Sequence, residues 1–112
     1  MLYQVICVGR IVKNPEVIES ESGKKYTNLT LAVPRSYKNV DGEYDTDFVP
    51  FKLWQGIAEN TALYCKSGDL IGIKGHVETD VYEKDEEKHY AMNLVAEKVT
   101  FLSSKKPEEA DK

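Results

Sequence analysis

Asp47-Phe48-Val49-Pro50-Phe51-Lys52-Leu53-Trp54 reads as a β-strand whose two faces differ in kind. Side chains alternate across a strand. Val49, Phe51 and Leu53 therefore share one face, and Phe48, Pro50, Lys52 and Trp54 the other. The first is an ordinary apolar core face. The second sets a cation between two aromatic rings. Rings stack on flat bases and a lysine pairs with phosphate, so a face of this make-up suits single-stranded nucleic acid. The competing reading is a second packed layer, because large aromatics dominate cores and interfaces in general.

Upstream, residues 26–34 alternate as cleanly. Thr27, Leu29, Leu31 and Val33 face one way, and Tyr26, Asn28, Thr30 and Ala32 the other. Pro34 is expected to close that strand, and 35–45 to form a polar loop turning at Asp41-Gly42. The first thirteen residues are β-rich, and Val5-Ile6-Cys7-Val8 is apolar on both faces. That predicts a strand covered on one side by the core and on the other by a second subunit. Lys13-Asn14-Pro15-Glu16 then breaks it.

Downstream, 56–66 reads as the one helix. Ala58, Ala62 and Cys65 form a stripe with Ile57, Thr61 and Tyr64 beside it. Glu59 is expected in the first turn, Lys66 in the last and Gly68 as the stop. Residues 70–82 form a long strand with Ile71, Ile73, Val77 and Val81 toward the core and Gly75 among them. Lys74, His76, Glu78, Asp80 and Tyr82 point outward. A charged hairpin tip at 83–88 leads into a last strand at 89–102. The order βββ-α-ββ is that of an all-β OB-fold, a five-stranded Greek-key barrel with one helix between strands three and four. Gly72 and Gly75 suit the bends of a small barrel.

A chain of 112 residues fits one domain with one small core, placed here at 1–102. Residues 103–112 read as a polar, disordered tail. The formal net charge of −4 runs against the basic footprint of general nucleic-acid binding, although the local field at a site outweighs the total. Cys7 and Cys65 make no CxxC pair and read as small buried hydrophobes, neither ligands nor a disulfide. His76 and His89 lack partners at metal-ligand spacing, and there is no Gly-rich phosphate loop, GxSxG or catalytic carboxylate pair. The expectation is no enzyme, no catalytic residue, no cofactor and no metal. Without a bilayer-length apolar run or a signal-peptide pattern, the expected setting is the cytoplasm, with no membrane partner.

Ordered short matches run through the chain: Val8-Gly9-Arg10, Asn14-Pro15-Glu16, Leu29-Thr30-Leu31-Ala32-Val33, and Tyr37-Lys38 with Asp41-Gly42-Glu43. They continue with Asp47-Phe48, Leu53-Trp54, Ala58-Glu59-Asn60 and Lys66-Ser67-Gly68. No single match is specific, but in this order and spacing residues 1–102 resemble the bacterial-type single-stranded DNA-binding proteins. The resemblance implies sequence-tolerant binding and protection of single-stranded DNA in replication, recombination or repair. It implies base stacking on Tyr37, Phe48, Trp54 and Tyr82. It also implies a homo-oligomer, first of all a tetramer, with the first strand at an interface, in a bacterial cytoplasm or encoded by a phage or plasmid. Arg10, Arg35, Lys38, Lys52 and Lys74 are the candidate phosphate partners, while Lys24 and Lys25 read as solvated surface charges.

The chain also departs from the family pattern. Glu78 and Asp80 stand where the family carries basic residues, and they either repel phosphate or pair with Lys74 or Lys84. Gln55 and Gly56 follow Trp54 where a basic residue is usual, and Pro50 is unusual inside its strand. The tail carries Glu108, Glu109 and Asp111 but lacks the apolar tip through which the family recruits partners. Two other functions fit the same fold: a protein-interaction module that has lost its basic residues, and an RNA binder.

Overall fold

In the computed structural model, which describes residues 4–104, alternation turns into pairing register. Strands β1 (Val5–Ile11), β2 (Ile18–Glu19), β3 (Lys25–Lys38) and β4 (Tyr44–Trp54) precede helix α1 (Gln55–Tyr64). Strands β5 (Leu70–Lys84) and β6 (Glu87–Ser103) follow it. The two-residue β2 only flanks β3. The other five strands close a ring: β1 pairs with β5, β5 with β6, β6 with β4, β4 with β3, and β3 with β1. The β4–β6 closure is parallel and consists of Lys52 opposite Val95. This is the five-stranded OB-fold barrel, with its helix after the third long strand.

Parity decides the core. Thr27, Leu29 and Leu31 of β3, Phe51 and Leu53 of β4, and Ile71 and Ile73 of β5 are each at most 2% exposed. Ala58 of α1 packs onto the same cluster. On β1, Val5 and Cys7 turn inward against that core, while Ile6 and Val8 stand exposed on the outer face. No helix among the described residues is long and apolar enough to cross a membrane.

Several local expectations are corrected. Pro34 does not close β3, which runs through an irregularity between Pro34 and Lys38, and β4 already begins at Tyr44. The loop shrinks to 39–43, where the Gly42 N–H donates to the Asn39 carbonyl at 3.0 Å. The flanking residues are polar, so they read as loop, but charged partners across the ladder sustain the pairing. The helix is shorter than expected, so Glu59 lies past its first turn, Lys66 lies beyond its end, and Tyr64 is exposed. Gly68 sits at φ 91° in the following turn and is not a helix cap. That turn is held by the Lys66 N–H donating to the Asp69 carboxylate at 2.9 Å, and by the Gly68 N–H donating to the Ile11 carbonyl at 2.8 Å.

Gly75 is needed at its position, because a Cβ there would collide with the Val95 carbonyl. Gly72 has no such role, since nothing approaches a Cβ there closer than 3.7 Å. Val81 is not in the core and is 58% exposed. The β5–β6 hairpin outruns the barrel, and residues 78–84 are exposed or nearly so. It ends as an arm in a tight turn, with Asp85 at φ 55° and Glu86 at φ 67°. Ser103 ends β6, and the rest of the expected tail beyond Ser104 lies outside the described residues.

Candidate nucleic-acid interface

The β3–β4 register lays the outward residues in rows. Tyr26 faces Trp54, Asn28 faces Lys52, Thr30 faces Pro50, and Ala32 faces Phe48. In the first rows the Lys52 ammonium lies 4.9 Å from the Tyr26 ring centre and 5.4 Å from that of Trp54. The two rings are 5.4 Å apart and tilted by 45°. Both cation–ring distances fall inside the range of about 6 Å where the ring quadrupole attracts a cation. Phe48 is 64% exposed, so no packed second layer among the described residues covers it. Its row continues onto β1, where Ala32 also pairs with Arg10. Ala32 and Arg10 border an open pocket together with Val8, Pro34 and Thr46, and Arg10 is steadied by donating Nη1 to the Gly68 carbonyl at 2.9 Å.

The far end of the β3–β4 hairpin gathers Arg35, Tyr37 and Lys38. Arg35 is not a free cation. Its Nε and Nη2 donate to the Asp47 carboxylate at 2.9–3.2 Å, and Asp45 stands 3.9 Å from Nη1. The hydrogen bond from Arg35 holds the Asp47 carboxyl below its ordinary range, and Asp47 in turn pushes the guanidinium further up. The guanidinium also lies 5.9 Å from the ring centre of the exposed Tyr37. The Lys38 ammonium sits 5.8 Å from the Tyr44 ring.

The arm is built differently. Tyr82 stacks on His89, with centroids 5.3 Å apart and planes 21° from parallel. Glu78 and Asp80 pair with neither Lys74 nor Lys84. His76 is held between Glu78 at 2.7 Å and Glu97 at 2.6 Å, and Asn93 donates to Asp80 at 2.8 Å. The hydrogen bonds to Glu78 and Glu97 push the His76 pKa above its ordinary 6.5. Lys74 lies on the outer side of β5, opposite Ile6 and Lys98, and β5 does not adjoin β4 in the ring.

The structure thus brings Lys52, Trp54, Phe48 and Arg10 onto one surface, sets Arg35, Tyr37 and Lys38 at a hairpin end, and leaves Tyr82 and Lys74 apart. Sequence reasoning misses two aromatics. Tyr26 carries the right parity, but its place opposite Trp54 depends on register. Tyr44 falls in the stretch that reads as loop and stands instead in β4 beside Lys38. Among the described residues no group of three or more His, Cys, Asp or Glu could hold a metal ion. Cys7 and Cys65 are half-buried, and burial pushes both thiols up.

The chain matches the family model described as "Single-strand binding protein family" over residues 2–102. It is 41% identical over 111 residues to "Single-stranded DNA-binding protein B" of Bacillus subtilis (strain 168), covering 98% of each chain. It is 42% identical over 106 residues to "Single-stranded DNA-binding protein 3" of Listeria innocua serovar 6a, covering 94% of this chain and 66% of the relative. It is 37% identical over 105 residues to "Single-stranded DNA-binding protein 1" of Clostridium acetobutylicum, covering 92% and 96%.

Proposed function

This chain belongs to the single-strand binding protein family, and from that premise we propose that it binds single-stranded DNA with little sequence preference. It protects the strand during replication, recombination or repair and does no chemistry on it. The observation that carries this reading is the Tyr26–Lys52–Trp54 cluster beside the exposed Phe48. Every base has a π-face, so stacking tolerates any sequence. Lys52 is held by ring contacts where an arriving phosphate needs a cation. Arg10 at the end of the Phe48 row and Lys38 near Tyr37 serve the same purpose, Arg35 joins them where phosphate displaces Asp47, and Lys74, set apart on β5, is a more distant phosphate partner. The arm offers one more stacking surface, for which the resemblance names Tyr82.

Residues 1–102 form the binding unit. The exposed outer face of β1, with Ile6 and Val8, is the surface through which copies join into a tetramer. The relatives are bacterial, and the same reading places this protein in a bacterial cytoplasm.

Trp54 is the sole tryptophan, so its fluorescence reports directly on the site. Titration with oligo-dT at low salt should quench it, and added salt should reverse the effect by counterion competition. An unquenched Trp54 together with no shifted complex on a native gel would overturn the proposal.

A further inference from the structure

The two faces of the β5–β6 arm differ as sharply as the two faces of β4. The register sets Val81 opposite Tyr90, Thr79 opposite Met92 and Val77 opposite Leu94. Alternation puts these residues on the face that continues the barrel interior, and Glu78, Asp80 and Tyr82 on the other. Past the barrel, the interior-side face stays apolar but loses its cover: Tyr90 is 74% exposed and Met92 73%.

That face opens onto the β3–β4 surface. Met92 and Leu94 line a groove of about 320 Å³ together with Asn28, Pro50 and Lys52. The groove exists because β4 and β6 meet only at Lys52 and Val95 and part beyond that point. Pro50 has no N–H to offer a neighbouring strand, so at this position it brings no ladder hydrogen bond that would zip β6 onto β4. The proline that looks out of place in the sequence lines the opening.

Charge separates the faces as well. The Tyr82 face carries Glu78 and Asp80, the opposed pair Lys84 and Glu87 toward the tip and Glu97 at its root, and His89 already covers one side of the Tyr82 ring. On the Tyr90 face the charges are Glu83 and Lys88, directly opposite one another. A polyanion reaching the arm is repelled on one side and meets flat apolar groups on the other. Met adapts its shape to irregular partners and makes favourable contacts with ring edges, and a Tyr ring is a stacking platform.

We propose that single-stranded DNA leaving Trp54 and Lys52 passes through this groove and follows the apolar face of the arm. Tyr90 is then the arm's main stacking residue, with Met92 packing beside it, and Tyr82 contributes less. The proposal rests on reading the chain as a single-stranded DNA binder.

The test measures binding of fluorescein-labelled oligo-dT by the full chain and by Tyr90→Ala, Tyr90→Phe and Tyr82→Ala, with mass by light scattering and thermal melts alongside. Tyr90→Ala should weaken binding about 5- to 150-fold, the range for losing one stacked base. Tyr90→Phe should bind like the parent, Tyr82→Ala should lose less than Tyr90→Ala, and masses should stay equal. Parent-like binding by Tyr90→Ala, or a larger loss for Tyr82→Ala, overturns the route. A lower mass for Tyr90→Ala at unchanged affinity overturns it too, by assigning the face to a second copy of the chain. A parent chain that does not bind at all sinks the functional reading itself, and the parent titration alone shows that. Should Tyr90→Ala fail to fold, irradiating the parent with iodouridine-substituted oligo-dT decides the matter. Lys84 and Lys88 place Tyr82 and Tyr90 in different tryptic peptides. The cross-link is expected on the Tyr90 peptide, and a cross-link confined to the Tyr82 peptide overturns the proposal.

Discussion

The β3–β4 surface and the outer face of the β5–β6 arm use the same device in opposite electrostatic settings. Each sets an aromatic ring on the outside of a strand. Beside Trp54 the neighbour is Lys52, held over two rings. On the face of Tyr82 stand Glu78 and Asp80, held by His76 and Asn93, while the cation beyond the ring, Lys84, lies opposite Glu87. An exposed ring is therefore not a binding site by itself; the charge next to it decides which polymer it can accept. This is also how a chain with net charge −4 can present a surface fit for a polyanion.

The strongest way to break this picture is to compare adjacent residues of β4. Leu53 is fully buried, so Leu53→Ala should cost ~2–5 kcal/mol of stability, read from urea unfolding, and leave the affinity of the folded fraction intact. Trp54→Ala should do the reverse, costing ~1–3 kcal/mol of oligo-dT binding with a much smaller loss of stability. Equal stability losses with unchanged binding would mean that Trp54 is packing and not a platform.

Two charge changes sharpen the contrast. Asp47→Asn should release Arg35 toward phosphate and steepen the log–log salt dependence of binding by up to ~0.7, the increment for one contact on a single strand. Neutralising the arm with Glu78→Gln and Asp80→Asn should change that slope by less than this ~0.7 if the strand follows the Tyr90 face. A steeper change would return the phosphates to the Tyr82 side.

The smallest effect concerns pH. The folded-state pKa of His76 is raised above 6.5 by Glu78 and Glu97. A raised pKa means that the protonated ring is favoured by folding. Its contribution is therefore complete below pH 6.5 and disappears as pH climbs through the higher folded-state value. Thermal melts over that window should show the melting temperature falling slightly with rising pH, and His76→Gln should flatten the trend.

The helix shows where local signals stop. Its existence and its buried Ala58 and Thr61 are legible from spacing, but its end is not. The chain leaves the helix at Cys65 and turns through Lys66–Asp69 because that turn docks on Ile11, a residue far away in sequence. Arg35 repeats the lesson. Its charge is legible in the sequence but its distance to other groups is not, and the carboxylate that engages it stands across the ladder on β4.

What the sequence determined by itself was everything with a local period: which faces of β3 and β4 turn inward, the strand order of an OB-fold, and Phe48, Lys52 and Trp54 on one outer face. Only the tertiary structure decided that Tyr26 completes the Lys52–Trp54 cluster, that Val81 leaves the core for an exposed arm, and that a groove opens beside Pro50. Alternation is set residue by residue through backbone geometry, whereas register, strand overhang and the point where a barrel closes depend on pairings between distant segments that no local pattern encodes.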